Sequence, residues 1–126
     1  MEKVSMSHED YLEAILMLGG TTERSVRSVD IANKIGVSKA SVSKALSSLR
    51  ENGLVNQQYY GDVTLTEDGF EYASKVLGRH NMLIDFLTKA IGIDPEIAEE
   101  EACKMEHAIS DESFVLWRRF VDSLNL

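Results

Sequence analysis

Oxygen, nitrogen and sulfur donors recur at helical spacing in three short stretches of this chain: Asp10 with Glu13, the Arg79-His80 pair, and Cys103-x-x-Glu106-His107. Residues three and four apart share one face of an α-helix, so Asp10 and Glu13 project together, as do Cys103, Glu106 and His107. A face offering thiolate, carboxylate and imidazole suits a divalent transition metal far better than an apolar core. Each residue also has an ordinary reading. Asp10 stands three residues after Ser7, at a capping-box position. Glu13 fits a solvated helix face, His80 could cover a helix surface, and a lone cysteine is commonly a small buried hydrophobe. Joint occurrence favours an ion, because carboxylates gathered by packing of the first, fourth and fifth helices would repel one another without a counter-charge.

Those faces require helices, and the pattern supplies them. Ser7 reads as an N-cap, followed by the apolar stripe Tyr11, Leu12, Ile15, Leu16 and Leu18, which Gly19-Gly20 stops. Ser28 can cap a second helix through Ile35. Gly36-Val37-Ser38 makes a tight turn, and a third helix runs from Lys39 to about Asn52, with Gly53 closing it. Short helix, glycine turn and longer helix have the spacing of a helix-turn-helix. Residues 54–59 and 63–66 flank a turn at Tyr60-Gly61-Asp62 and read as a two-stranded wing. A long helix opens at Thr66 and runs through His80 towards Ile91. Asp94-Pro95 then starts the helix carrying Cys103, Glu106 and His107, and Ser110 caps a last one. The expected fold is mainly α: a winged helix-turn-helix over residues 1–72, then an α-helical domain over 73–126 that binds metal and dimerises.

At 126 residues, 44% hydrophobic and 27% charged, the chain has the composition of a soluble globular protein with one ordinary domain or two small ones. No apolar run approaches the roughly 20 residues of a membrane span. The polar N-terminus carries no signal-peptide pattern, and a single cysteine fits a reducing cytoplasm, which is the expected location. The net charge of −8 argues at first sight against nucleic acid. Its distribution reverses that impression: residues 24–50 carry six basic side chains against Asp30 alone, and residues 94–112 carry eight acidic ones against Lys104. Two partners of opposite sign follow, a polyanion and a cation, although two merely solvated faces would look similar.

The polyanion has a plausible docking face. In a helix-turn-helix the N-terminal end of the second helix enters the major groove. Here that end presents Ser38, Lys39, Ala40, Ser41, Ser43 and Lys44, with Val42, Ala45 and Leu46 facing inward. Small side chains permit close approach to double-stranded DNA, and the lysines neutralise phosphates. This turn has no arginine, asparagine or glutamine for bidentate base reading, so readout through DNA shape is expected. Gln57, Gln58, Tyr59 and Tyr60 at the wing tip either touch the duplex or only shield the hairpin. Phe86, Leu87, Phe114, Leu116, Trp117, Phe120 and Val121 exceed what so short a chain can bury alone, which predicts an isologous homodimer.

These residues resemble the DtxR/MntR family of iron- and manganese-dependent repressors. The resemblance rests on Asp-Tyr-Leu-Glu-Ala-Ile from Asp10, the helix-turn-helix, Arg79-His80, and Cys-Lys-Met-Glu-His-Ala-Ile-Ser-Asp-Glu from Cys103, all in order and spacing. It covers essentially the whole chain and implies a winged helix followed by a dimerisation domain, without the SH3-like third domain of some members. It also implies metal ligands at Asp10, Glu13, His80, Cys103, Glu106 and His107. The chain is a hybrid of two types. Asp10 matches the manganese type, which has a glutamate where this chain has Cys103; a cysteine there matches the iron type, which has a methionine at the first position. Asp10 favours Mn(II), whereas Cys103 pulls towards Fe(II), Co(II) or Zn(II). Glu99, one turn before Cys103 where the iron type carries a histidine, is either an additional ligand or part of the solvated run Glu99-Glu100-Glu101.

The expected function is therefore a transcriptional regulator, usually a repressor of metal-uptake genes. Mn(II) or Fe(II), one or two ions per chain, would set the spacing of two winged helices on a palindromic operator. The alternative is a metal-independent winged-helix regulator that senses an organic effector or a partner protein. An enzyme with Cys103 as nucleophile and His107 or His80 as base is disfavoured, because no glycine-rich oxyanion loop accompanies them. A third reading is a pure dimerisation adaptor, which failure to bind any DNA with metal present would favour.

Overall fold

The computed structural model describes residues 6–57 and 62–126, so Gln58, Tyr59, Tyr60 and Gly61 of the expected wing tip lie outside the described residues. The chain divides into two units, Met1–Lys75 and Val76–Leu126. No helix among the described residues is long and apolar enough to cross a membrane.

The first unit contains α1 (Met6–Met17), β1 (Val26–Arg27), α2 (Ser28–Ile35), α3 (Lys39–Glu51), β2 (Val55–Gln57), β3 (Asp62–Leu65) and the start of α4 (Glu67–Asp85). Apolar residues at helical spacing meet in one core, in which Leu12, Ile15, Ile31, Val42, Leu46 and Leu49 are fully enclosed. The helix-turn-helix bends at Gly36, whose φ of 80° is left-handed and open chiefly to glycine. Ser38 then caps α3: its Oγ accepts from the Ser41 amide at 3.1 Å.

Two expected caps differ. Ser7 lies inside the first turn of α1, and Ser28 is already helical, with Arg27 at the cap position and no side-chain cap bond. Leu18 falls beyond α1 and is exposed.

Among the described residues the wing sheet has three strands rather than two, in the order β1-β3-β2, antiparallel throughout. Val26 pairs with Val63 and Arg27 with Asp62, while Val55 pairs with Leu65. Two residues are too few to show an alternating pattern, which is why β1 escapes a reading by periodicity. Behind the wing, Thr66 caps α4. Its Oγ1 accepts from the Gly69 amide at 3.0 Å and donates to the Gly53 carbonyl at 2.7 Å. Gly69 is required here, because a Cβ would stand 1.8 Å from the Leu54 carbonyl oxygen.

The second unit comprises the rest of α4, a π-helical segment Phe86–Ile91, α5 (Pro95–Ala108) and α6 (Asp111–Ser123). Asp94 caps α5, accepting from the Glu96 amide at 3.0 Å with Pro95 in the first turn, and Ser110 caps α6. Leu83, Leu87, Ala98, Ala102, Phe114 and Val121 form its core. Leu116 and Phe120 stay exposed, while Phe86 and Trp117 are half-buried and meet edge to face at 5.4 Å.

Candidate metal centre and nucleic-acid face

Within the second unit, α4 delivers His80 and α5 delivers Cys103, Glu106 and His107. Cys103, Glu106 and His107 each offer one donor atom, and these atoms lie within 4.8 Å of one another. His80 Nδ1 and His107 Nε2 each stand 3.5 Å from Glu106 Oε1. That separation is too long for a hydrogen bond. It is close to the spacing of two donors sharing one ion, since bonds of about 2.1 Å hold neighbouring ligands about 3.0–3.4 Å apart.

Glu106 supplies the test of whether a cation fits. Its side chain is 1% exposed, and neither carboxylate oxygen has a hydrogen-bond partner among the described residues. A carboxylate desolvated in this way costs several kcal/mol unless a positive charge compensates it. Sulfur, nitrogen and oxygen donors together match a divalent transition metal. The residues present fit the group.

Arg79 does something else. Its guanidinium donates to Asp111 in the first turn of α6 and lies 4.4 Å from the centre of the Phe114 ring. It fastens α4 to α6 and offers no donor to the cluster. Glu99, by contrast, has a partner that the spacing of α5 alone does not reveal: its Oε1 accepts from His80 Nε2 at 2.8 Å. His80 is 2% exposed.

In the first unit, Asp10 and Glu13 stand one turn apart on α1, Asp10 half-buried and Glu13 buried. Beside them Glu9 is also buried, and the Tyr72 hydroxyl of α4 donates to its Oε2 at 2.8 Å. This tie spans 63 positions in the chain, and nothing in the local sequence signals it.

The opposite chemistry lies on α3. Ser38, Lys39, Ala40, Ser41, Ser43 and Lys44 are all exposed, while Val42, Ala45, Leu46 and Leu49 are buried. Ser38 Oγ is occupied twice, by the cap and by the Ser41 hydroxyl at 3.0 Å. Behind this face the Arg50 guanidinium donates to Gln57 Oε1 at 3.2 Å, joining α3 to the wing. Arg27 belongs to the basic segment but is engaged. It donates to Asp30 at 3.3 and 3.4 Å, and that hydrogen bond, with the charges of Asp30 and then Asp62, raises its pKa further.

Comparison with known proteins agrees with both halves. Residues 3–63 match the family model for the iron-dependent repressor N-terminal DNA-binding domain. Residues 66–125 match the iron-dependent repressor metal binding and dimerisation domain. An uncharacterised HTH-type transcriptional regulator of Methanocaldococcus jannaschii is 38% identical over 109 residues, covering 86% of this chain and 87% of that protein. The transcriptional regulator MntR of Escherichia coli is 36% identical over 112 residues, 89% of this chain and 71% of its own length. A manganese-dependent transcriptional repressor solved with manganese superimposes with a TM-score of 0.80 at 31% identity, over 91% of this chain. This chain spans about half of that protein, 52% of its length. With a DNA-binding domain followed by a metal binding and dimerisation domain, the chain belongs to the iron-dependent repressor family.

Proposed function

We propose that this chain is a cytoplasmic, homodimeric, metal-dependent repressor that binds a palindromic operator in double-stranded DNA and acts by binding rather than by catalysis. The observation that carries this reading is Glu106, a buried carboxylate without a hydrogen-bond partner among the described residues, with two imidazoles 3.5 Å away. The proposed ligands are His80, Cys103, Glu106 and His107 from the second unit and Asp10 and Glu13 from the first, for Mn(II) or Fe(II) at one or two ions per chain. The warrant for adding Asp10 and Glu13 is their chemistry: two carboxylates one turn apart on a single helix.

A bound divalent cation would supply the charge that this many carboxylates lack and would hold ligands from distant parts of the chain in one coordination shell. A bound cation would cancel part of the negative charge that Glu106 and Glu13 contribute, so the loaded protein would repel DNA phosphates less. Lys39 and Lys44 would bind backbone phosphates, and Ala40, Ser41 and Ser43 would let α3 approach the bases closely. Val115, Leu116 and Phe120, exposed on α6, would supply the apolar face shared with a second copy.

The test is anaerobic Mn(II) titration of metal-free protein, followed by the free-ion EPR signal, alongside operator binding by anisotropy. Uptake of about one or two ions per chain, with metal-stimulated DNA binding lost in Glu13→Gln and His107→Ala while helicity persists, is the expected result. Operator binding that is equally tight with and without Mn(II) or Fe(II) would replace this reading with the metal-independent regulator.

A further inference from the structure

We propose that Glu99 is a positioning residue that fixes the tautomer and orientation of His80 so that Nδ1 is the metal-binding nitrogen. This rests on the metal-dependent reading above and deepens it.

The argument begins with what each atom can do. A carboxylate accepts hydrogen bonds and donates none, so the 2.8 Å contact between Glu99 Oε1 and His80 Nε2 requires the proton on Nε2. A neutral imidazole protonated on Nε2 carries its lone pair on Nδ1. That nitrogen stands 3.5 Å from Glu106 Oε1, on the opposite edge of the ring from Glu99. Histidine ligands in metal sites commonly donate their second ring N–H to a carboxylate, which raises their basicity and holds the ring in place.

Position on the helix supports the same role. Glu99 lies one turn before Cys103 on α5, so it shares a side of that helix with the donor cluster. Its own side chain is 56% exposed, yet its hydrogen bond reaches the buried ring of His80. With Glu99 in place, water has little access to His80, so the carboxylate is what holds Nε2. The acid-rich run is therefore not uniform: Glu99 is engaged with His80, whereas Glu100 pairs with Lys104 along an exposed face.

The experiment compares wild type, Glu99→Ala and Glu99→Gln by two readouts. The first is the histidine side-chain ¹⁵N spectrum of metal-free protein, which reports tautomers without any metal. The second is Mn(II) uptake by free-ion EPR. Wild type should show His80 protonated on Nε2. Glu99→Ala should lose that single tautomer and bind Mn(II) about ten- to a hundredfold more weakly, with the number of ions per chain unchanged. Glu99→Gln keeps an acceptor oxygen and should preserve the tautomer and most of the affinity. A neutral His80 protonated on Nδ1 instead of Nε2 in wild type, or a tautomer indifferent to Glu99→Ala, overturns the proposal. Loss of a whole ion from the stoichiometry in Glu99→Ala also overturns it, making Glu99 a ligand. A wild-type chain that takes up no ion removes the metal-dependent reading and the positioning role with it, while the tautomer comparison still reports whether the hydrogen bond exists.

Discussion

Burying Glu106 among imidazoles sets stability against affinity at a single side chain. With both oxygens desolvated and Oε1 3.5 Å from two ring nitrogens, the carboxylate weakens the metal-free fold. Glu106→Met fills similar volume without a charge. Metal-free Glu106→Met should therefore unfold at a higher temperature, by roughly 1–3 kcal/mol in stability, and should gain no stabilisation from added Mn(II), whereas wild type is expected to. Thermal melts with and without the ion check both halves, and a metal-free variant less stable than wild type would contradict them. The donor residues themselves are legible from sequence, because helical spacing alone places Cys103, Glu106 and His107 together. The partners of His80 and Glu9 are not. They come from another helix, 19 and 63 positions away, and local pattern does not encode such pairings.

Among the elements, the joint between the third helix and the fourth is set by close approach. Gly69 brings α4 so near the Leu54 carbonyl that a Cβ would overlap backbone, which cannot swing aside as a side chain can. Gly69→Ala should destabilise the first unit by about 3 kcal/mol, seen as a lower urea midpoint at unchanged slope. Glycine and hydroxyl punctuation makes most of these boundaries readable: Ser38, Asp94 and Ser110 all cap helices where the sequence pattern predicts. The elements that escape are those too short or too irregular to carry a period. β1 has two residues, and the π-helical segment at Phe86–Ile91 continues the apolar pattern of α4 without any residue that announces a wider turn.

At the scale of the whole molecule, the net charge of −8 hides an uneven distribution between a lysine-bearing third helix and an acidic fifth helix. If Lys44 meets a phosphate, Lys44→Ala should weaken binding to all sequences alike and reduce the slope of log K against log salt by about 1. Unchanged salt dependence would place Lys44 outside the contact. The apolar surface gives a second check. Leu116 is 61% exposed and Phe120 is 55% exposed, so Phe120→Glu should shift the chain from dimer to monomer in light scattering at micromolar concentration. A dimer that persists would move the interface to another face. Seven apolar residues suggested that interface, but Leu87, Phe114 and Val121 belong to the core of the second unit. Composition counts apolar side chains without distinguishing the two uses.

The Thr66 hydroxyl has a consequence for dynamics. One oxygen holds the Gly69 amide and grips the Gly53 carbonyl just beyond the end of α3. An excursion that swings the Thr66 hydroxyl away releases the Gly69 amide and the Gly53 carbonyl together, which couples opening of the first turn of α4 to the end of the third helix. Amide exchange at Gly69 and at Leu54, whose N–H bonds to the Leu49 carbonyl, should then proceed with a common protection factor, and breathing of the fourth helix would be felt directly at the lysine-bearing third helix.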